Sequence, residues 1–97
     1  MTGPGAEGET CVSVRVTGRV QGVSFRAWTA DRARALGARG WVRNRGDGSV
    51  EALIAGDRET VRALLRELES GPAAARVDAV DAKPADAAAP IGFEIRG

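Results

Sequence analysis

Ninety-seven residues, 43% of them hydrophobic and 28% charged, suffice for one small domain with a single modest core. Histidine and tyrosine are absent and cysteine occurs once, as Cys11, which excludes His- or Tyr-borne acid–base chemistry, an internal disulfide framework and a multi-cysteine zinc site. Fourteen basic residues against thirteen acidic ones leave a formal charge of +1, too balanced for a broad polyanion-binding surface.

Residues 1–10, MTGPGAEGET, are rich in Gly and acid and show no apolar periodicity, so they are expected to form a flexible tail, with the domain over 11–97. Cys11 to Thr17 alternates, with Val12, Val14 and Val16 on one face, which predicts a half-buried strand. A loop is expected from Gly18 to Val23. From Ser24 the period becomes helical, through Phe25, Trp28 or Thr29, Ala33 and Leu36, and Gly37 supplies a stop. Arg39–Arg45 and Ser49–Ala55 flank Gly46-Asp47-Gly48 and predict a hairpin.

Asp57 is suited to cap a second helix, whose apolar stripe is Val61, Leu64, Leu65 and Leu68; Gly71-Pro72 ends it. Arg76–Ala82 alternates again as a fourth strand. Lys83 to Pro90 reads as a loop, and Ile91–Arg96 as a short fifth strand with Phe93 and Ile95 inward. The order βαββαβ, with a short fifth strand, predicts a ferredoxin-like α/β sandwich. Right-handed crossovers lay both helices on one face of an antiparallel sheet. No apolar stretch approaches the roughly 18 residues of a membrane span, and the N-terminus has no secretory pattern. With one thiol, the expected address is cytoplasmic.

The chemistry concentrates at the first strand-to-helix junction, Gly18-Arg19-Val20-Gln21-Gly22-Val23-Ser24-Phe25-Arg26. Two glycines let the backbone curl and a ligand approach its amides. The first helical N–H groups lack internal partners and carry partial positive charge, so such a place binds anions, phosphate above all. Arg26 lies in the first helical turn, against the helix dipole, and its planar fork matches phosphate oxygens. The spacing fits neither a P-loop nor a dinucleotide fingerprint, and a plain turn with a surface arginine accounts for the same residues. Asn44, near the end of a strand before a turn, reads on its own as a turn residue bonding its own backbone.

Taken together, the two segments resemble the acylphosphatase family. Gly18-Arg19-Val20-Gln21-Gly22-Val23-Ser24-Phe25-Arg26 is similar to that family's phosphate-loop signature. Gly40-Trp41-Val42-Arg43-Asn44, with Gly48, Val50 and Gly56, is similar to its second signature at matching spacing. The resemblance covers residues from about 11 to 97. It implies that the amides of Gln21, Gly22, Val23, Ser24, Phe25 and Arg26 cradle the phosphate of a small-molecule acyl phosphate. It implies that the Arg26 guanidinium grips that phosphate and that Asn44 orients the attacking water. The implied products are a carboxylate and inorganic phosphate, with phosphate or sulfate as product or mimic. No metal and no organic cofactor is implied, nor is a nucleic-acid or membrane partner, and the expected state is a monomer. A carboxylate is a good leaving group, so positioning and charge stabilisation suffice.

A second reading is a non-catalytic phosphate or carbamoyl-phosphate binding domain, like the one that begins the carbamoyltransferases of hydrogenase maturation. The absence of zinc-finger cysteines or a further domain after Gly97 favours a stand-alone enzyme. A third, nucleic-acid binding on the sheet, has only Trp41 and Phe93 to offer, and both fit a core. Ser24 has no histidine or nearby lysine to activate it, so its hydroxyl is expected to cap the helix. Cys11 is expected to be a buried or edge thiol, Trp28 and Trp41 core or core-edge residues, and Asp47 a turn residue. Arg19, Arg43 and Arg45 either enrich positive potential near the loop or form a solvated face.

Overall fold

A computed structural model describes residues 9–97. The expected tail thus lies outside the described residues for positions 1–8, while Glu9 and Thr10 already belong to the first strand. The elements are β1 (Glu9–Arg19), α1 (Phe25–Leu36), β2 (Arg39–Asn44), β3 (Val50–Asp57), α2 (Arg58–Ser70), β4 (Arg76–Pro84) and β5 (Phe93–Arg96). The sheet order is β4-β1-β3-β2-β5.

β1 is longer than its alternation predicts because it sits between two partners. Glu9 pairs with Asp57 of β3 at one end, and Arg19 pairs with Arg76 of β4 at the other. The register shifts between Thr17 and Gly18. Gly18 has φ of 123°, and a Cβ there would fall 2.2 Å from the Arg76 carbonyl oxygen, so only glycine lets β4 stay paired past the bulge. The bulge sits just before the loop that leads into α1.

The sheet is mixed rather than antiparallel throughout. β1, β3, β4 and β2 pair antiparallel, but β5 runs parallel to β2, with Val42 opposite Ile95. The cause is the route of the chain. It leaves β4 at one edge, crosses to the other, and arrives beside β2 in the same direction. The crossing is held by the Gly40 N–H on the Gly92 carbonyl and the Ala85 N–H on the Cys11 carbonyl, both at 2.9 Å.

Both helices cover one face. α1 packs over β2 and β5, and α2 over β4, β3 and β1. Between them and the sheet lie Val14, Val16, Val42, Val50, Ile54, Phe25, Leu64 and Leu68, all buried. Asp57 caps α2 as its position predicts, accepting from the Thr60 N–H at 2.8 Å, and Val61, Leu64 and Leu68 are its buried stripe. Trp28 is half-buried against the core, its ring 5.6 Å from that of Phe25.

The uncovered face is held by charge. Asp81, Arg15, Glu51, Arg43 and Arg96 stand side by side across the five strands. Trp41 lies on this face, half-buried, with the Arg43 and Arg96 guanidinium carbons 5.2 and 5.1 Å from its ring centre. Its neighbours are therefore these two cations together with buried Leu53, its cross-strand partner. Ile95 also departs from expectation: Phe93 is 4% exposed, but Ile95 is 46% exposed.

Candidate active site

The loop between β1 and α1 is anchored at both ends by buried apolar side chains, Val20 and Phe25. Between them the chain turns sharply, with Gly22 at φ 76°. Ser24 follows at φ 60° and ψ 27°, and among the described residues it is the one non-glycine with a positive φ. A left-handed serine costs about 1–2 kcal/mol, and such strain gathers at ligand-binding segments. The Ser24 carbonyl accepts the Trp28 N–H at 3.0 Å and so starts the helix. Its side chain makes no capping hydrogen bond, contrary to expectation. The capping geometry needs an extended backbone, and the left-handed conformation aims the hydroxyl elsewhere.

This conformation has a second consequence. Among the described residues, no backbone N–H from Gln21 to Ala27 donates within the protein, and the first turn of α1 contains no acidic side chain. A run of unpartnered donors at the positive end of a helix is a site for an anion. Arg26 stands at its edge. Its Nη1 donates to the Arg96 carbonyl at 2.8 Å, which directs the guanidinium along the rim. Eight residues further along α1, Arg34 makes the same kind of bond, 2.8 Å to the Phe93 carbonyl. Eight helical residues span about 12 Å and three strand residues about 10 Å, so α1 lies along β5 in opposite sense, with Arg26 above the end of the strand.

Asn44 is the last residue of β2, paired with Val50. Its side chain makes no hydrogen bond among the described residues, so the local self-bonded turn is not what it does. Gly22, Ser24, Arg26 and Asn44 share one depression of about 220 Å³, with Phe25 and Ile95 in its wall. Gln21 and Val23 do not line it. Val23 packs against the core. The Gln21 side chain turns away and donates to the carbonyls of Arg45 and Ser49, both at 2.8 Å. It thereby ties the loop to the turn that follows Asn44.

That turn is itself rigid. The Arg45 N–H donates to the Ser49 carbonyl at 2.8 Å, and Asp47 accepts from the Ser49 hydroxyl and N–H at 2.6 and 2.9 Å. The Ser49 hydroxyl bond, then the backbone bond, hold the Asp47 carboxyl below its usual range. Burial works to raise the Glu51 carboxyl, but hydrogen bonds from Arg43 and Arg45 and the charge of both outweigh it, so it is held low. Arg43 and Arg45 both pair with the one Glu51 carboxylate, at 2.8 and 3.0 Å. Arg19 is exposed at the end of β1.

Larger depressions lie elsewhere. One of about 410 Å³ on the uncovered face is lined by Arg15, Glu51, Asp81 and Lys83 and contains none of the residues that the sequence singled out. No group of three or more His, Cys, Asp or Glu side chains is arranged to hold a metal ion among the described residues. Three features of the site escaped sequence reading: the Gln21 side-chain tie, the Arg96 carbonyl under Arg26, and Ile95. Only Ile95 had a signal, its period-two match with Phe93, which placed it on the right face.

The sequence profile of the acylphosphatase family matches residues 12–95. An acylphosphatase of Anaeromyxobacter dehalogenans is 55% identical over 82 residues, covering 84% of this chain and 88% of its own. The structure of an acylphosphatase from Coxiella burnetii superposes with a TM-score of 0.89 at 35% identity, over 94% of this chain and 96% of that one. Full-length HypF, solved in a phosphate- and nucleotide-bound form, shares the fold alone: TM-score 0.80, 22% identity, 92% of this chain but 12% of that one. On the profile match and the near-complete coverage by its relatives, the chain belongs to the acylphosphatase family of hydrolases.

Proposed function

We propose that this enzyme hydrolyses the carboxyl–phosphate bond of acyl phosphates at the depression between the 20–24 loop and Asn44. The observation that carries the reading is that Gly22, Ser24, Phe25, Arg26 and Ala27, whose amides have no partner in the protein, share one depression with the Arg26 side chain and Asn44. The phosphoryl group sits on the amides, whose donors and helix-end potential match its oxygens. Arg26 adds a charged fork, already aimed by the Arg96 carbonyl.

Asn44 holds a water against phosphorus. Its carboxamide is no base near neutral pH, so it orients rather than deprotonates. The water oxygen bonds to phosphorus while the bond to the acyl oxygen breaks, and the electron pair leaves with the carboxylate. The water's proton passes to a phosphate oxygen or to the departing carboxylate. No side chain of the site needs to titrate. Fixed donors around the equatorial oxygens supply the stabilisation.

Every group invoked comes from one chain, so the reading is of a monomer. It is also of a cytoplasmic enzyme, supported by the single thiol; no helix of the described residues is long and apolar enough to cross a membrane. The test is benzoyl phosphate hydrolysis, with and without a chelator. Asn44→Ala is expected to lower kcat by about 100-fold while inhibition by inorganic phosphate stays within about 2-fold. Wild-type turnover by Asn44→Ala sinks the water-orienting role. Loss of wild-type activity in chelator sinks the metal-independent reading.

A further inference from the structure

The apolar part of the candidate site is unevenly exposed. Val20 and Phe25 line the depression but are 1% and 2% exposed, so they form its floor and offer a ligand almost no surface. Ile95 lines the same depression and is 46% exposed. Among the described residues the other exposed large hydrophobic is Ile91, which does not line it.

The exposure of Ile95 follows from the fold. Phe93 and Ile95 share the helix-covered face, but α1 begins at Phe25, and its first turn ends over the tip of β5. Ile95 immediately precedes Arg96, whose carbonyl holds the Arg26 guanidinium. An isoleucine side chain therefore stands beside the cation aimed at the phosphoryl group, at the mouth rather than the floor.

Resting on the reading of this depression as the acyl phosphate site, we infer that Ile95 is its acyl-contacting residue and selects substrates with a hydrocarbon acyl group. A phosphoryl group held by the amides and Arg26 carries its acyl substituent outward over the rim. There an aromatic or branched acyl chain covers Ile95, whereas an acetyl group is too short to cover much of it. The contact forms equally in the ground and transition states, so it acts on KM and leaves kcat alone.

The experiment compares benzoyl phosphate with acetyl phosphate for the wild type, Ile95→Ser and Ile95→Leu. For Ile95→Ser, kcat/KM for benzoyl phosphate is expected to fall by about 5- to 10-fold, through KM, consistent with losing part of an apolar contact. Its acetyl phosphate kinetics and its inhibition by inorganic phosphate stay within about 2-fold of wild type. Ile95→Leu restores the benzoyl preference. A parallel loss on both substrates assigns Ile95 a structural role in holding Arg26 and overturns the inference, as does an unchanged benzoyl KM in Ile95→Ser. Both of those results leave acyl phosphate hydrolysis standing, whereas a wild type that hydrolyses neither substrate removes the underlying reading and the inference with it.

Discussion

Replacing Gln21 by methionine keeps the length and bulk of the side chain and removes its amide. Two hydrogen bonds are lost, both 2.8 Å long, to the carbonyls of Arg45 and Ser49. Neither acceptor is orphaned. The Arg45 carbonyl keeps the Gly48 N–H at 3.2 Å, and the Ser49 carbonyl keeps the Arg45 N–H at 2.8 Å. The cost is therefore the net worth of two neutral bonds with no penalty for a stranded carbonyl, about 1–3 kcal/mol. For a domain of this size that is a drop in Tm of roughly 4–24 °C.

The catalytic effect is separate from the thermal one. The tie joins the anion-binding loop to the residue after Asn44, so cutting it loosens the water's position against phosphorus. Displacement of a positioned nucleophile by a fraction of an ångström to an ångström costs about 10-fold or more in kcat. Phosphate binding stays within about 2-fold, because the loop remains anchored by Val20 and Phe25. Thermal unfolding and steady-state kinetics on benzoyl phosphate at a temperature well below either Tm read the two effects independently. If Gln21→Met melts and turns over like the wild type, the tie contributes neither stability nor alignment, and the argument from its geometry is wrong.

Arg26→Ala should lower kcat/KM by about 100- to 1000-fold and also weaken inhibition by inorganic phosphate, which sets it apart from Asn44→Ala; unchanged phosphate inhibition would refute the clamp. Ser24→Ala should retain kcat within about 2-fold, since the hydroxyl neither caps α1 nor has a base to activate it; a loss above about 100-fold would reinstate it as a reacting group. With no histidine in the chain, kcat should vary little between about pH 5 and 8 apart from ionisation of the substrate itself, and an enzyme-borne pKa near 6.5 would contradict the mechanism. Stability, by contrast, should fall in acid. Asp47, Glu51, Asp57 and Glu67 are all held below their ordinary values in the folded state, so their contribution is complete above the unfolded carboxylate range. It is lost as the pH drops through and below about 4, and a chain whose acid unfolding is unaffected by Glu51→Gln contradicts the pairing with Arg43 and Arg45.

Most of the element order was legible because its signals are local. Val12, Val14 and Val16 alternate, Val61, Leu64 and Leu68 recur at helical spacing, and Asp57 and Gly37 stand where caps stand. Strand ends were less legible. Glu9, Thr10 and Arg19 join β1 because partners lie beside them, and a partner is not a property of the segment. The parallel pairing of β5 was hidden for the same reason, since it depends on which edge the chain reaches after β4.

At the candidate site, the residue types and their spacing already pointed to an anion cradle, an arginine and a carboxamide, and absence of histidine bounded the mechanism. Those are facts of composition and order. Tertiary structure alone decided how they meet. It put Ser24 in a left-handed conformation that leaves its hydroxyl out of the cap, and turned the Gln21 side chain from the loop to the hairpin. It set Arg26 over the Arg96 carbonyl and left Ile95 uncovered where α1 begins. The Gln21 and Arg26 placements depend on contacts between segments 24 to 70 residues apart in sequence, as in the bonds from Gln21 to Arg45 and from Arg26 to Arg96. Periodicity reports which face a residue occupies, and only packing decides whether anything lies on top of it.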